Sequence, residues 1–382
     1  MKCHSDFQSA IFWLSAFALC LGWLPLPAGA QLTGIPGQKI EQSKKPASVL
    51  SADGASYIRR MEIARPRAAT TADELATVNS QLPNLLPGFR DLMKSAQVST
   101  RFAELFDRKI SLIKRGQFPT SHNFYDCETI LRLKHPKSGC KVLLVQSDMD
   151  VVTDGSDPGR YPKLDEYNSA RSSDWFLPQT SYSWSRGSVT ETNPFLDYYP
   201  KTLADLQTMR KQIEEKTRTD PGVVWRELLK SCDDQIYRVK MRGMTSASRS
   251  GLRSRRYLLA DRDPFVVLPA PWVNQSAEWS PHTGDYVAVV YKNKIYPAIL
   301  GDAGPRDKVG EASLRIARKV NPKADGKTRA VNDVSVTYLF FPGTRDPFGE
   351  PDLKLWRDRV LALLKEIGGV SSASAVHDWR ND

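Results

Sequence analysis

The chain of 382 residues carries 54 Lys and Arg against 43 Asp and Glu, a formal charge of +11, with 41% hydrophobic and 25% charged residues. Those proportions suit a folded protein of one large or two moderate domains, and exclude a collagenous, coiled-coil, disulfide-dense or wholly disordered chain. The surplus positive charge first suggests a nucleic-acid or other anionic partner, so its distribution along the chain matters.

Lys2 precedes an apolar run over 10–24, followed by Pro25, Pro27 and Ala28-Gly29-Ala30. A basic start, an apolar core and a small-residue end predict a secretory signal peptide over 1–30. The run is short for a membrane span, which needs about 20 apolar residues. The protein is therefore expected to be secreted, extracellular or periplasmic, with no span left after cleavage. Residues 31–70 are polar and aperiodic and are expected to form a flexible leader, with a single domain over 71–382.

Helical spacing runs over 71–96, interrupted near Pro83 and Pro87, and over 99–115, where Phe102, Leu105, Phe106, Ile110 and Ile113 recur on one face. From Cys127 the pattern changes to short β-like runs: TILRL, KVLLV, PFVVLP, YVAVVY, IYPAIL and VSVTYLFF. Lys292-Asn293-Lys294 reads as a hairpin turn. Further helices are expected near 202–215, 222–231, 311–320 and 352–367. The charged, Arg-rich stretch 201–256 reads as a helical insertion between β regions. The fold class is α+β with a predominantly β core, a small β-barrel, with a double-psi form as one candidate, decorated with helices.

Without the signal peptide three cysteines remain, Cys127, Cys140 and Cys232. In a regular hairpin Cys140 would stand opposite Lys134, seven residues from Cys127. At about 3.3 Å per residue that is roughly 23 Å, too far for a disulfide. The same geometry weakens a zinc site of His122, Cys127, His135 and Cys140. No H-E-x-x-H, Walker, G-x-S-x-G or G-x-G-x-x-G motif occurs, which argues against metallopeptidase, nucleotide-hydrolysing, α/β-hydrolase and dinucleotide functions.

Carboxylates carry the informative patterns. In KIYPAILGDAGPRDKVGEASLRIARKV (294–320) a β-like run ends at Asp302, and Gly310-Glu311 opens an expected helix. The loop between can bring Asp302 and Glu311 to one rim, as glycoside hydrolysis requires of its acid and its base or nucleophile. The alternative is a turn aspartate and a glutamate favoured by the helix dipole. In VLLVQSDMDVVTDGSDPGR (142–160) Asp148 and Asp150 share a strand face and Asp154 follows in a loop. Calcium would suit such oxygens, but the closing Glu of a helix–loop–helix site is missing; a solvated acidic loop is the plainer reading. Tyr182, Trp184 and neighbouring aromatics can stack on sugars or fill the core.

These segments in this order, SDMDVVTDG, QTSYSW, DPFVVLP, GDYVAVVYKNKIYPAILGDAGPRDKVGEASLRIA and VTYLFFPGT, resemble the fungal-type chitosanases of glycoside hydrolase family 75. The resemblance spans about 120–345. It implies an endo-acting, inverting hydrolase of β-1,4-linked glucosamine, with Asp302 and Glu311 as the essential pair; a monomer with no cofactor or metal is expected. It also places Asp148, Asp150 and Asp154 in the family's acidic segment, where with Tyr182 and Trp184 they would bind an amino-sugar polymer. Glu311 as acid and Asp302 as base is the assignment taken first; a first-turn glutamate held charged by the dipole would reverse it. The competing readings are a non-catalytic binder of cell-envelope polysaccharide on the same scaffold, and a basic binder of nucleic acid or another anionic polymer. The charge distribution favours an acidic cleft on a basic body: 148–166 hold six acids and two bases, whereas 236–260 hold seven bases and no acid. The basic insertion is expected to face away from the cleft, and no nucleic-acid partner is expected.

Overall fold

The computed structural model describes residues 38–43, 58–63, 66–114, 127–153, 180–185, 195–220, 222–306, 308–325 and 329–382. The expected signal peptide, His122, and the acidic loop from Asp154 lie outside these residues.

Within the expected leader, strands β1 (Gln38–Ser43) and β2 (Ile58–Ile63) pair antiparallel, so this stretch is not uniformly irregular. Three short helices follow, α1 (Ala72–Val78), α2 (Leu82–Leu85) and α3 (Phe89–Met93). Thr71 and Glu74 cap α1 reciprocally, each side chain accepting from the other's N–H, which satisfies donors with no partner inside the helix. Pro83 sits at the start of α2, where a missing N–H costs nothing. Strand β3 (Gln97–Val98) and helix α4 (Thr100–Lys114) complete the N-terminal part.

The sheet begins with β4 (Cys127–Lys134) and β5 (Lys141–Val152). Lys134 pairs with Lys141, and Cys140 lies opposite His135, one step from the register expected. Cys127 instead pairs with Ser147, and all three described cysteines are free thiols. Strand β6 (Ser183–Ser185) leads to helices α5 (Phe195–Thr219), α6 (Val223–Val239) and α7 (Ser246–Ser254), and the chain returns through β7 (Arg255–Tyr257), which pairs antiparallel with β6. The helices have their own core of Tyr199, Leu206, Ile213, Cys232, Ile236, Val239 and Leu252. These helices leave and return through a two-strand neck.

Strands β8 (Phe265–Pro269), β9 (Tyr286–Tyr291), β10 (Lys294–Gly304) and β11 (Glu311–Ser313), helix α8 (Leu314–Val320), strand β12 (Val331–Phe340) and helix α9 (Leu353–Glu366) follow. The β9–β10 turn is the expected hairpin, with Lys292 in the left-handed region at φ 49°. The order β5–β12–β9–β10–β8–β11 closes on itself, because β11 also pairs with β5. The result is a six-stranded ring with β4 and β3 appended, an α+β fold with a strand-rich core. The β10–β8 and β11–β5 pairs are parallel.

Alternate residues of each ring strand feed different cores, as the two-residue period of a strand requires. Val142 and Leu144 join α1–α3 and α9 through Leu75, Phe89, Val360 and Leu364. Leu143 and Val145 join α4 and α8 through Phe102, Phe106 and Ile316. Strands covered on both faces read as near-continuous apolar runs, which is how KVLLV and YVAVV look in the sequence.

Candidate active site

Asp302 lies near the end of β10 and Glu311 begins β11. Both are register partners of the same residue, Val267 on β8. In-register neighbours point to one side of a sheet, so Asp302, Val267 and Glu311 form a row on one face. Asp150, the partner of Glu311 on β5, extends it. Two strand steps of about 4.8 Å put the Cα atoms of Asp302 and Glu311 roughly 9–10 Å apart. Glu311 is a strand residue, against the expectation of a first helical turn; α8 begins at Leu314 with Ser313 before it. Glu311 stands ahead of that helix rather than in its first turn.

Two glycines make room for this row. Gly310 has φ 81°, and a Cβ there would stand 2.5 Å from the Asp148 carbonyl oxygen. A Cβ on Gly304 would meet Glu311 Oε2 at 2.8 Å and a Val267 methyl at 2.6 Å. Side chains at either place would displace the carboxylates.

Both members of the pair are buried. Every hydrogen bond to Asp302 among the described residues goes to Oδ1: Ser181 N–H at 2.8 Å, the Ser181 hydroxyl, and Ala303 N–H at 2.8 Å. Burial raises its carboxyl above the ordinary aspartate value, the Ser181 and Ala303 donors pull it back, and the charge of Glu311 adds to the rise. Glu311 has a cation instead, with Lys308 Nζ donating to Oε1 at 2.7 Å. Lys308 Nζ is also 4.0 Å from Asp150 Oδ2. Deeper in the row Arg329 ties two acids together, Nη1 to Asp148 Oδ2 at 2.9 Å and Nε to Asp150 Oδ1 at 3.3 Å. Tyr338, kept protonated chiefly by burial, donates its hydroxyl to the Asp148 carbonyl at 2.9 Å.

Asp148 and Asp150 therefore stand with the pair, as their alternation predicts. Asp154 lies outside the described residues. Tyr182 is turned into the core, ring against Phe348, Trp184 and Trp356, its hydroxyl bonded to the Gly349 main chain. Trp184 is half-buried and keeps some surface. Another buried carboxylate, Asp285, accepts from the N–H groups of His282, Gly343, Thr344 and Arg345 and is a loop clamp. Among the described residues no group of His, Cys, Asp and Glu is arranged to hold a metal ion, and no helix is long and apolar enough to cross a membrane. Ser181, Lys308 and Arg329 are absent from the sequence-derived candidates. Ser181 lay within the QTSYSW segment and Lys308 between the two acids, but neither type signals a role by itself.

A buried carboxyl biased toward its proton, beside a carboxylate paired with a cation two strands away, can deliver a proton at one place and accept one at another. No curated protein matches the chain. The family model described as fungal chitosanase of glycosyl hydrolase group 75 matches residues 149–367, which include Asp150, Asp302 and Glu311. That match covers more than half of the chain and runs through α9, beyond the stretch the motifs suggested. The protein thus belongs to the family of fungal chitosanases of glycosyl hydrolase group 75, and is a glycoside hydrolase of the chitosanase type.

Proposed function

We propose that the protein is an exported, monomeric endo-hydrolase that cleaves β-1,4 bonds between glucosamine units of chitosan with inversion, using Asp302 and Glu311. The observation that carries this reading is the placement of the two carboxylates on either side of Val267. Inverting pairs stand about 6.5–9.5 Å apart to admit a water, and retaining pairs about 5–5.5 Å. A backbone spacing of two strand steps leaves room for the wider separation.

The environments favour the reverse of the role assignment taken from sequence. Asp302 is the acid: burial biases it toward the protonated form, and its donors all hold Oδ1, leaving Oδ2 to carry the proton. Glu311 is the base, its carboxylate compensated by Lys308. Asp302 passes its proton to the glycosidic oxygen as the bond from C1 breaks. Glu311 takes a proton from water, whose oxygen attacks C1 from the opposite face. Solvent then returns a proton to Asp302 and removes one from Glu311. Asp150 and Glu311, with Lys308 between them, offer carboxylates to a cationic polymer, and Trp184, backed by Tyr182, offers a sugar platform.

Reducing-end release from chitosan tests this. Asp302→Asn and Glu311→Gln should each lower the rate at least about a thousandfold, since each removes a reacting group, with the fold intact by circular dichroism. The first product should be the α-anomer by NMR. Wild-type protein that binds chitosan without cleaving it would establish the non-catalytic reading instead. Binding to heparin or DNA with no action on chitosan would favour the anionic-polymer reading.

A further inference from the structure

Two cations enter the row of carboxylates, and they differ in kind. Arg329 is inside, only 9% exposed, bridging Asp148 and Asp150 with two of its nitrogens. A guanidinium in that position is weakly hydrated and geometrically locked. Lys308 is at the mouth. Its side chain is 27% exposed, whereas those of Glu311 and Asp150 are 7% and 2% exposed. Its ammonium is a compact, strongly hydrated charge on a flexible stem, so release into water is easy. It belongs to the loop between β10 and β11, which joins the two reacting residues.

That ammonium is the same chemical group that a glucosamine unit carries at C2. An N-acetylated unit carries a neutral amide there. We infer that Lys308 stands in for the amino group of the substrate: in the unliganded protein its ammonium holds, between Glu311 and Asp150, the place that the C2 ammonium of a glucosamine unit takes, so that these two carboxylates select a free amino sugar and Lys308 sets how strongly. Binding is then an exchange of one primary ammonium for another. The charge beside Glu311 is conserved through the exchange, so the base stays compensated while the sugar is bound. A neutral acetamide cannot replace the cation beside Glu311 and Asp150, so an acetylated unit leaves Lys308 in place and makes no exchange. The inference rests on the proposed function, since it concerns the substrate of that same site.

The experiment measures binding with turnover blocked by Asp302→Asn, titrating a glucosamine hexamer and its fully N-acetylated counterpart by calorimetry. In that background Lys308→Met should tighten the glucosamine oligomer about threefold to fivefold, the size of a partly exposed charge pair, and leave the acetylated one unchanged. Lys308→Arg should weaken the glucosamine oligomer, because the fork grips carboxylates harder than an ammonium does. Arg306→Met removes an exposed charge from the same loop and controls for general attraction; its effect should be less than half as large. The inference is overturned if Lys308→Met fails to tighten the glucosamine oligomer, if both oligomers shift alike, if Lys308→Arg binds like the parent, or if Arg306→Met does as much. If the wild type cleaves neither oligomer and the parent variant binds neither, the proposed function fails and takes this inference with it.

Discussion

Ser181 supplies two of the three donors that hold Asp302 Oδ1, and its hydroxyl also accepts from Ala303 N–H at 3.2 Å. In the proposed mechanism it touches no reacting atom; it positions Asp302, which does. Its hydroxyl favours the charged carboxylate, so Ser181→Ala should push the Asp302 carboxyl higher still. A general acid works only while protonated, and activity falls as pH rises through its pKa. The falling limb of the pH–rate profile should therefore move to higher pH in Ser181→Ala and return in Ser181→Thr. A shift of the rising limb instead would make Asp302 the base. Asp302 and Glu311 were legible in sequence because glycines and a proline punctuate the segment holding both. Ser181 was not, because a serine 121 positions away joins the site only once the chain before β6 is folded against the end of β10. Arg329 was hidden for the same reason, since its partners on β5 are remote in sequence.

Helices with a clear apolar period were read closely: the stretch 99–115 is α4 at Thr100–Lys114, and 352–367 is α9 at Leu353–Glu366. The helix expected at 311–320 begins only at Leu314, and the late start has a physical cause. Three residues are too few to show a two-residue period, and Glu311–Ser313 are drawn into the ring by β5 and β8, which close it. Gly310 makes that join possible. Gly310→Ala should cost about 2–4 kcal/mol, combining a left-handed backbone strain with overpacking against Asp148, and should lower activity with stability. Gly343 provides the comparison, because it has the same φ of 81° with nothing within 4 Å of its added Cβ. Gly343→Ala should cost only the strain, about 1–2 kcal/mol. Equal losses in thermal or denaturant unfolding would mean that the close approach to Asp148 is not what requires glycine at 310.

For the molecule as a whole, the apolar runs told that a β core exists, and nothing in them told that the ring closes. Closure depends on pairings such as β11 with β5, between segments about 160 residues apart in the chain, and these leave no local period. Charge and helical spacing showed that the stretch 201–256 is basic and helical, but not the neck through which the chain leaves and returns. Arg255 and Arg256 lie on β7, opposite Ser185 and Trp184, close in sequence to Ser181. Part of the positive charge therefore returns to the neighbourhood of the acid, while Arg238, Arg249 and Arg253 belong to the helices. Because the helices carry their own core and β6 ends opposite β7, replacing residues 186–254 by an Asn-Gly turn should leave a folded ring. The shortened protein should melt in one transition and still cleave short glucosamine oligomers. Loss of the ring's fold would show that the excursion is part of the main core.

One consequence follows from both acids being register partners of Val267. Their separation is a property of hydrogen-bonded backbone, measured across one intervening strand, while the loop joining them carries Lys308 and is not what spaces them. On the proposed mechanism, anomeric outcome and choice of sugar charge are thereby held by different parts of the chain. Substitution in the loop can change which sugars are accepted while the direction of water attack stays fixed.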